Sequence, residues 1–240
     1  MSYFDGFVLA VPTANKDKFV EHAKEGDAVF KDQGAVRIVE AWGDDVPKGK
    51  VTDFQGAVQA TDEETVVFSW IEWPDKASRD GVMARSEEWM KDPRMDPEKN
   101  PMPFDGKRMI YGGFDAIVDE GEGGGAYADG YLVPVPEGKK KDYRALAIKM
   151  APVFRELGAT RVVEAWGDDL PDGKHTDYRR AVKAEKDENV VFSFVEWPDK
   201  ATRDAGWAKM MEDNKDNSAD DMPFDGKRMF WGGFRPIVEL

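Results

Sequence analysis

The chain has no cysteine, only two histidines in 240 residues, and no apolar run approaching the 18 residues a membrane-spanning helix needs. Without cysteine there is no disulfide framework, no thiolate nucleophile and no thiolate metal site, which suits a reducing compartment. The opening stretch Met1 to Pro12 has no basic leader region, so the expected location is the cytoplasm. Positive charge is also scarce. Lys and Arg number 34 against 48 Asp and Glu, a net charge of −14, divided as −10 for residues 1–120 and −4 for residues 121–240. Neither half is basic, so nucleic acid and anionic membranes are not expected as partners, and RNA binding is the disfavoured reading. No phosphate-binding glycine loop is present either: Gly121 to Gly125 lacks both the G-x-G-x-x-G and the G-K-[ST] context.

Apolar and aromatic residues are abundant. Hydrophobic residues make up 41% of the chain and aromatics 12%, including 8 Trp and 14 Phe, enough for packed cores. They recur in order. Gly34 to Asp45 returns as Gly158 to Asp169 with 10 of 12 positions identical, and Val66 to Asp80 returns as Val190 to Asp204 with 12 of 15. Both pairs are offset by 124; Met102 to Phe114 returns as Met222 to Phe234 with 11 of 13 identical at an offset of 120. The chain is therefore a tandem duplication. Its expected parts are a first repeat at 1–119, a glycine-rich linker at 120–126 and a second repeat at 127–240. A linker of seven flexible residues spans roughly 15 Å and at most about 24 Å, so the copies should lie side by side.

One repeat reads β-α-β-β-β-α-β. Tyr3 to Pro12 is a β-rich apolar run; a helix follows in which Phe19, Ala23, Gly26 and Phe30 share a face, answered by Tyr143, Ala147, Met150 and Phe154. Gly34 and Gly158 fall where a left-handed cap is expected, and Pro152 is expected to kink the second version of the helix. Val36 to Trp42, Asp53 to Ala60 and Thr65 to Trp73 read as strands, Asp75 as the cap of a second helix, and Arg108 to Val118 as the last strand. This order is an α+β, ferredoxin-like arrangement with one extra strand, 53–60. The strands carry large apolar residues toward both faces, and helices can cover only one of them. The other face calls for a second sheet, and the tandem copy is the nearest supply.

The Asp-Gly pair of strand one (Asp5-Gly6, Asp129-Gly130), the G-A-x-R-x-V-E-x-W block, V-V-F-S-x-x-E-x-P and M-P-F-D-G-K-R-M together resemble the YbaA-like bacterial family of unknown function over nearly all of both halves. The resemblance implies the dimeric α+β barrel fold, in which two ferredoxin-like units pack sheet against sheet. Because this chain fuses two units that relatives supply singly, it also implies an intramolecular pseudo-dimer that could be a monomer.

Charged residues inside apolar strands are the informative anomaly, since a buried charge is costly unless paired. Arg37, Glu40 and Glu72 sit in such strands, as do Arg161, Glu164 and Glu196. One reading places a pocket in each repeat, with Glu40 and Glu72 lining one cavity, Trp42 and Trp70 as walls, and Arg37 or Arg108 tuning a carboxylate for proton transfer or ligand anchoring. The other reads these groups as ion pairs that fix strand register. The candidate catalytic residues are thus Glu40, Glu72, Glu164 and Glu196. The candidate ligand contacts are Arg37, Trp42, Arg161 and Trp166, together with the turn Asp105, Lys107 and Arg108 and its counterpart Asp225, Lys227 and Arg228. Aspartates in W-G-D-D-x-P suit a turn better than a cation, and His22 and His175 answer to Leu146 and Val51, so no metal and no cofactor is expected. Two functions fit: a small-molecule binding protein that could act as a cofactor-independent enzyme, or a non-catalytic interaction module.

Overall fold

The computed structural model describes residues 1–213 and 222–240. Its eight strands are β1 (Tyr3–Pro12), β2 (Arg37–Asp45), β3 (Glu64–Trp73), β4 (Ile110–Gly121), β5 (Tyr127–Pro136), β6 (Arg161–Asp169), β7 (Glu188–Trp197) and β8 (Phe230–Glu239). They close into one antiparallel barrel in the order β1-β3-β2-β8-β5-β7-β6-β4. Each half contributes four consecutive staves, and the halves are sewn together where β2 meets β8 and β4 meets β6. Both seams carry register shifts, at Glu40/Ala41 and Gly43/Asp45 on one and at Gly113/Phe114 and Ala116/Val118 on the other. Such bulges bend strands and help a sheet close.

Side-chain alternation assigns the two faces. On β3, Val66, Phe68 and Trp70 point into the barrel, while Val67, Ile71 and Trp73 point outward toward helices. The interior is therefore one aromatic core shared by both halves. Phe68 stacks on Phe192, its counterpart in the other copy, with centroids 4.5 Å apart and planes 4° from parallel; Trp70 stacks on its counterpart Phe194 at 4.3 Å. The pseudo-twofold axis runs between them. Gly6 and Gly130 make room for this layer: a Cβ at Gly6 would lie 2.7 Å from the Phe192 ring, and one at Gly130 would lie 2.9 Å from Phe68. The sheet face that the sequence leaves uncovered is thus covered by the second copy.

Helices pack on the outside. The long helix α1 (Lys16–Asp32) buries Phe19, Ala23, Asp27 and Val29, and its counterpart α5 (Lys140–Glu156) runs unbroken through Pro152. Gly34 and Gly158 close these helices at φ 105° and 106°, the left-handed cap that glycine adopts without strain. The segment read as an extra strand at 53–60 is instead a single helical turn, α2 (Phe54–Ala57), matched by α6 (Tyr178–Ala181). Asp53 explains the difference. Its side chain accepts the Gly56 backbone N–H at 2.6 Å, and Asp177 accepts that of Arg180 at 2.8 Å, so local capping overrides a short apolar spacing that alone could suit a strand. The two turns pack against each other and drive Phe54 and Tyr178 into the core, closing one end of the barrel.

The remaining helices are α3 (Lys76–Met83), α4 (Ser86–Trp89) and α7 (Lys200–Asp213). Asp75 caps α3 through the Ser78 N–H at 2.7 Å, as its sequence position predicts. The stretch in which the second copy is four residues shorter, at 214–221, lies outside the described residues.

Candidate functional site

Aromatic side chains of both halves fill the barrel interior, and two cavities lie outside it, between the sheet and the long helices. In the first half a cavity of about 340 Å³ opens beneath α1 against β1, β2 and β3. Its walls are Phe7, Phe19, Phe30 and Phe104 with Met95, Met102 and Met109, and its polar groups are His22, Asp27, Glu40, Arg94 and Asn100. This is the mostly apolar, sparsely polar lining of a small-molecule site.

Two carboxylates meet there. Asp27 projects from the apolar face of α1 and is only 8% exposed, and its Oδ2 has no hydrogen-bond partner among the described residues. Burial, and then repulsion from Glu40, hold its pKa well above the ordinary carboxylate range. Glu40 rises from β2 and accepts a short hydrogen bond from the Ser69 hydroxyl on the neighbouring strand. Burial pushes its pKa up to about 7, the Ser69 bond holding it back. Two carboxyls in one apolar cavity cannot both ionise cheaply, so they titrate as a unit.

Among the described residues that line the cavity, no unpaired cation offsets them. Arg94 lines the cavity but is held by Asp92 at 2.8 Å and Asp32 at 2.7 Å. The His22 Nδ1 lies 2.8 Å from Asn100 Oδ1. The Asn100 amide nitrogen donates to the His22 and Arg94 carbonyls, so its oxygen must accept, which places the imidazole proton on Nδ1. Burial lowers the His22 pKa and keeps the ring neutral.

The second half answers with a smaller cavity, about 210 Å³, beneath α5. Glu164 and Ser193 repeat Glu40 and Ser69, but Ala151 stands in place of Asp27, Leu146 in place of His22 and Met150 in place of Gly26. Tyr143, where the first half has Phe19, donates to Glu164 Oε2 at 2.7 Å. Burial still pushes the Glu164 pKa up to about 7. Tyr131 adds a hydroxyl without a hydrogen-bond partner among the described residues.

The other sequence candidates go elsewhere. Glu40 and Glu72 do not share a cavity: Glu40 faces the helices, whereas Glu72 lies on the inward face with Phe68 and Trp70, at the barrel end opposite α2 and α6. There Arg161 grips Glu72 with two contacts of 2.8 Å, and Arg37 grips Glu196 at 2.8 and 2.6 Å, each pair spanning the two halves. Arg161 also takes Asp119 at 2.8 Å and Arg37 takes Glu239 at 2.8 Å. The linker crosses this mouth, with the Gly124 N–H donating to Glu196 at 3.3 Å. A side chain at Gly123 would collide with Glu196 and Arg37. Trp70 is a core residue, not a cavity wall. Trp42 and Trp166 pack on the outer face, with Lys16 and Lys140 over their rings at 5.2 and 4.9 Å.

The Asp105 to Arg108 turn is a clamp. Arg108 holds Glu64 at 2.6 and 2.8 Å and Asp105 at 3.1 Å, Arg228 repeats the arrangement on Glu188 and Asp225, and Lys107 and Asp105 are exposed. Asp225 borders a shallow surface groove with Lys139 and Asp142 rather than the cavity beneath α5. Arg37 and Arg108 therefore tune neither Glu40 nor Asp27. Asp27 and His22 escape a search for sites present in both copies, because neither has a counterpart. The signal for Asp27 is its place in the helical stripe between Ala23 and Phe30.

A family model described as "Protein of unknown function (DUF1428)" matches the chain twice, over residues 2–106 and 126–226. The chain belongs to this family. Uncharacterized protein YbaA of Escherichia coli K12 is 57% identical over 120 residues, which is all of that protein and 50% of this chain, and the Shigella flexneri YbaA matches equally. Among solved structures, a putative monooxygenase of Fusobacterium nucleatum superposes with a TM-score of 0.58 at 11% identity, covering 99% of this chain and 93% of that one. A putative monooxygenase of Lactobacillus acidophilus does so with 0.50 at 9% identity, covering 99% and 95%. At such identities the likeness is one of fold, the eight-stranded antiparallel barrel with outer helices. Among the described residues no helix is long and apolar enough to cross a membrane.

Proposed function

We propose that this DUF1428 protein binds a small organic molecule in the cavity beneath α1, and that the Asp27 and Glu40 pair gives that cavity the means to move a proton without a resident cofactor. One observation carries the reading: a buried carboxylate with an unpartnered oxygen faces an open apolar cavity beside a second carboxylate. A carboxyl with a pKa near neutrality can serve as both acid and base at neutral pH. The description of the two structural neighbours as putative monooxygenases is compatible with a small-molecule site but adds only fold-level analogy.

The strand order within each half, β4-β1-β3-β2 and β8-β5-β7-β6, with helices on one face, supports two ferredoxin-like repeats at 1–119 and 127–240 joined by the glycine linker. A barrel closed within one chain supports a monomer.

The test uses the second half as a guide. Nothing lies within 4 Å of a Cβ at Gly26, and the second copy carries Met150 there. Gly26→Met should fill the cavity and leave the fold intact. Small molecules extracted from the purified wild-type protein and from this variant are compared by mass spectrometry; the reading requires a species lost in the variant, and identical extracts would sink it.

A further inference from the structure

The first cavity is lined by two carboxyls and by one guanidinium that is already engaged by other carboxylates. Asp27 and Glu40 both offer oxygens, and Asp27 Oδ2 is unclaimed. The groups facing them are His22 from α1 and Arg94 from the segment after α4. His22 spends Nδ1 on Asn100, and Arg94 is held by Asp92 and Asp32. The surrounding walls are aromatic faces and thioethers, and aromatic faces attract cations.

Charge conservation then favours one kind of guest. An entering ammonium ion can take the place of a proton that one of the two carboxyls gives up, so the cavity's net charge stays the same and no new charge is buried. A neutral molecule makes no such exchange. An anion adds to a charge that burial already opposes.

Resting on the reading of this cavity as a binding site, we propose that it takes an organic ammonium ion, a primary or secondary amine on an aromatic or branched apolar body, whose N–H groups donate to Asp27 Oδ2 and to Glu40. The second cavity is the built-in contrast. Ala151 removes one carboxylate and Tyr143 occupies the other, so it has lost the feature that selects a cation.

Isothermal titration calorimetry of the full chain at pH 7 with phenethylamine, 2-phenylethanol and phenylacetate separates the possibilities. The amine should bind at least tenfold tighter than the alcohol. Titration in two buffers of different ionisation heat should show up to one proton released per amine bound. Asp27→Ala, which installs the residue the second copy already uses, should erase the preference for the amine. Equal or tighter binding of the alcohol or the acid, or amine binding unchanged by Asp27→Ala, would overturn the proposal. If the alcohol binds without advantage to the amine, and Gly26→Met abolishes it, the cavity remains a binding site and only the ammonium class fails. If none of the three binds and Gly26→Met strips no molecule from the purified protein, both readings fall.

Discussion

Arg37 of the first half holds Glu196 of the second with two hydrogen bonds of 2.8 and 2.6 Å, and Arg161 of the second holds Glu72 of the first in the same way. The pairs cross the barrel mouth in opposite directions, so neither half completes its own charge balance. Removing one partner leaves a buried charge alone. Arg161→Met should therefore destabilise by about 3–5 kcal/mol, measured as a lower urea midpoint at pH 7. Replacing Glu72 and Arg161 together by Met should cost less than the single change, because no orphan carboxylate remains at that position.

Stability should fall as pH rises toward neutrality because of the two cavity glutamates. The folded Glu40 and Glu164 carboxyls sit at about 7 against an ordinary 4.5, so the folded state holds their protons more tightly than the unfolded chain. That contribution is complete below about pH 4.5 and disappears as pH passes through 7. Glu40→Gln should flatten the profile, changing the wild-type-minus-variant stability difference by roughly 1–3 kcal/mol between pH 4.5 and 8. Chemical denaturation across that range reads it directly; a parallel profile for the variant contradicts the assignment.

Tyr143 moderates Glu164 by donating to it. Tyr143→Phe should move that carboxyl further above 7, visible as a shifted titration of its side-chain carbon by nuclear magnetic resonance. The Glu40 resonance, beneath the other helix, should not move.

Gly6 and Gly130 should tolerate no side chain. A methyl at Gly6 meets the ring of Phe192 at 2.7 Å, and over-packing of this kind costs typically 1–3 kcal/mol. Gly6→Ala should lower the melting temperature, and Phe192→Leu in the same chain should recover part of the loss. Rescue by a residue 186 positions away would report contact between the halves.

What was legible in the sequence followed from repetition and alternation. Phe68 and Trp70 against Val67 and Ile71 declare a sheet apolar on both faces, and the second copy supplies the cover. Asp53 was harder: its cap needs only one turn, and a four-residue helix leaves no periodicity, so Phe54 to Ala57 looks like a strand. Glu72 and Glu196 stand out as buried charges, but their partners lie 89 and 159 residues away in sequence on the opposite copy, a separation that no local pattern encodes. Asp27 was hidden for a different reason. Requiring every site residue to occur twice retains what the copies share and discards what diverged between them, and the first cavity is defined by that divergence.

The seams between β2 and β8 and between β4 and β6 also govern how the chain is made. Val39 pairs with Glu239, so β2 keeps an open edge until the final strand has left the ribosome. At about 5–20 residues per second, the 120 residues of the second half take roughly 6–24 s to synthesise. A first half that folds within that interval exposes Phe4, Phe68, Trp70 and Phe114, which the finished barrel buries, as an aromatic sheet with unpaired edges, the kind of surface that recruits other nascent chains. The hazard ends when β5 to β8 arrive on the same polypeptide, and its length is set by the speed of translation rather than by the stability of the finished barrel.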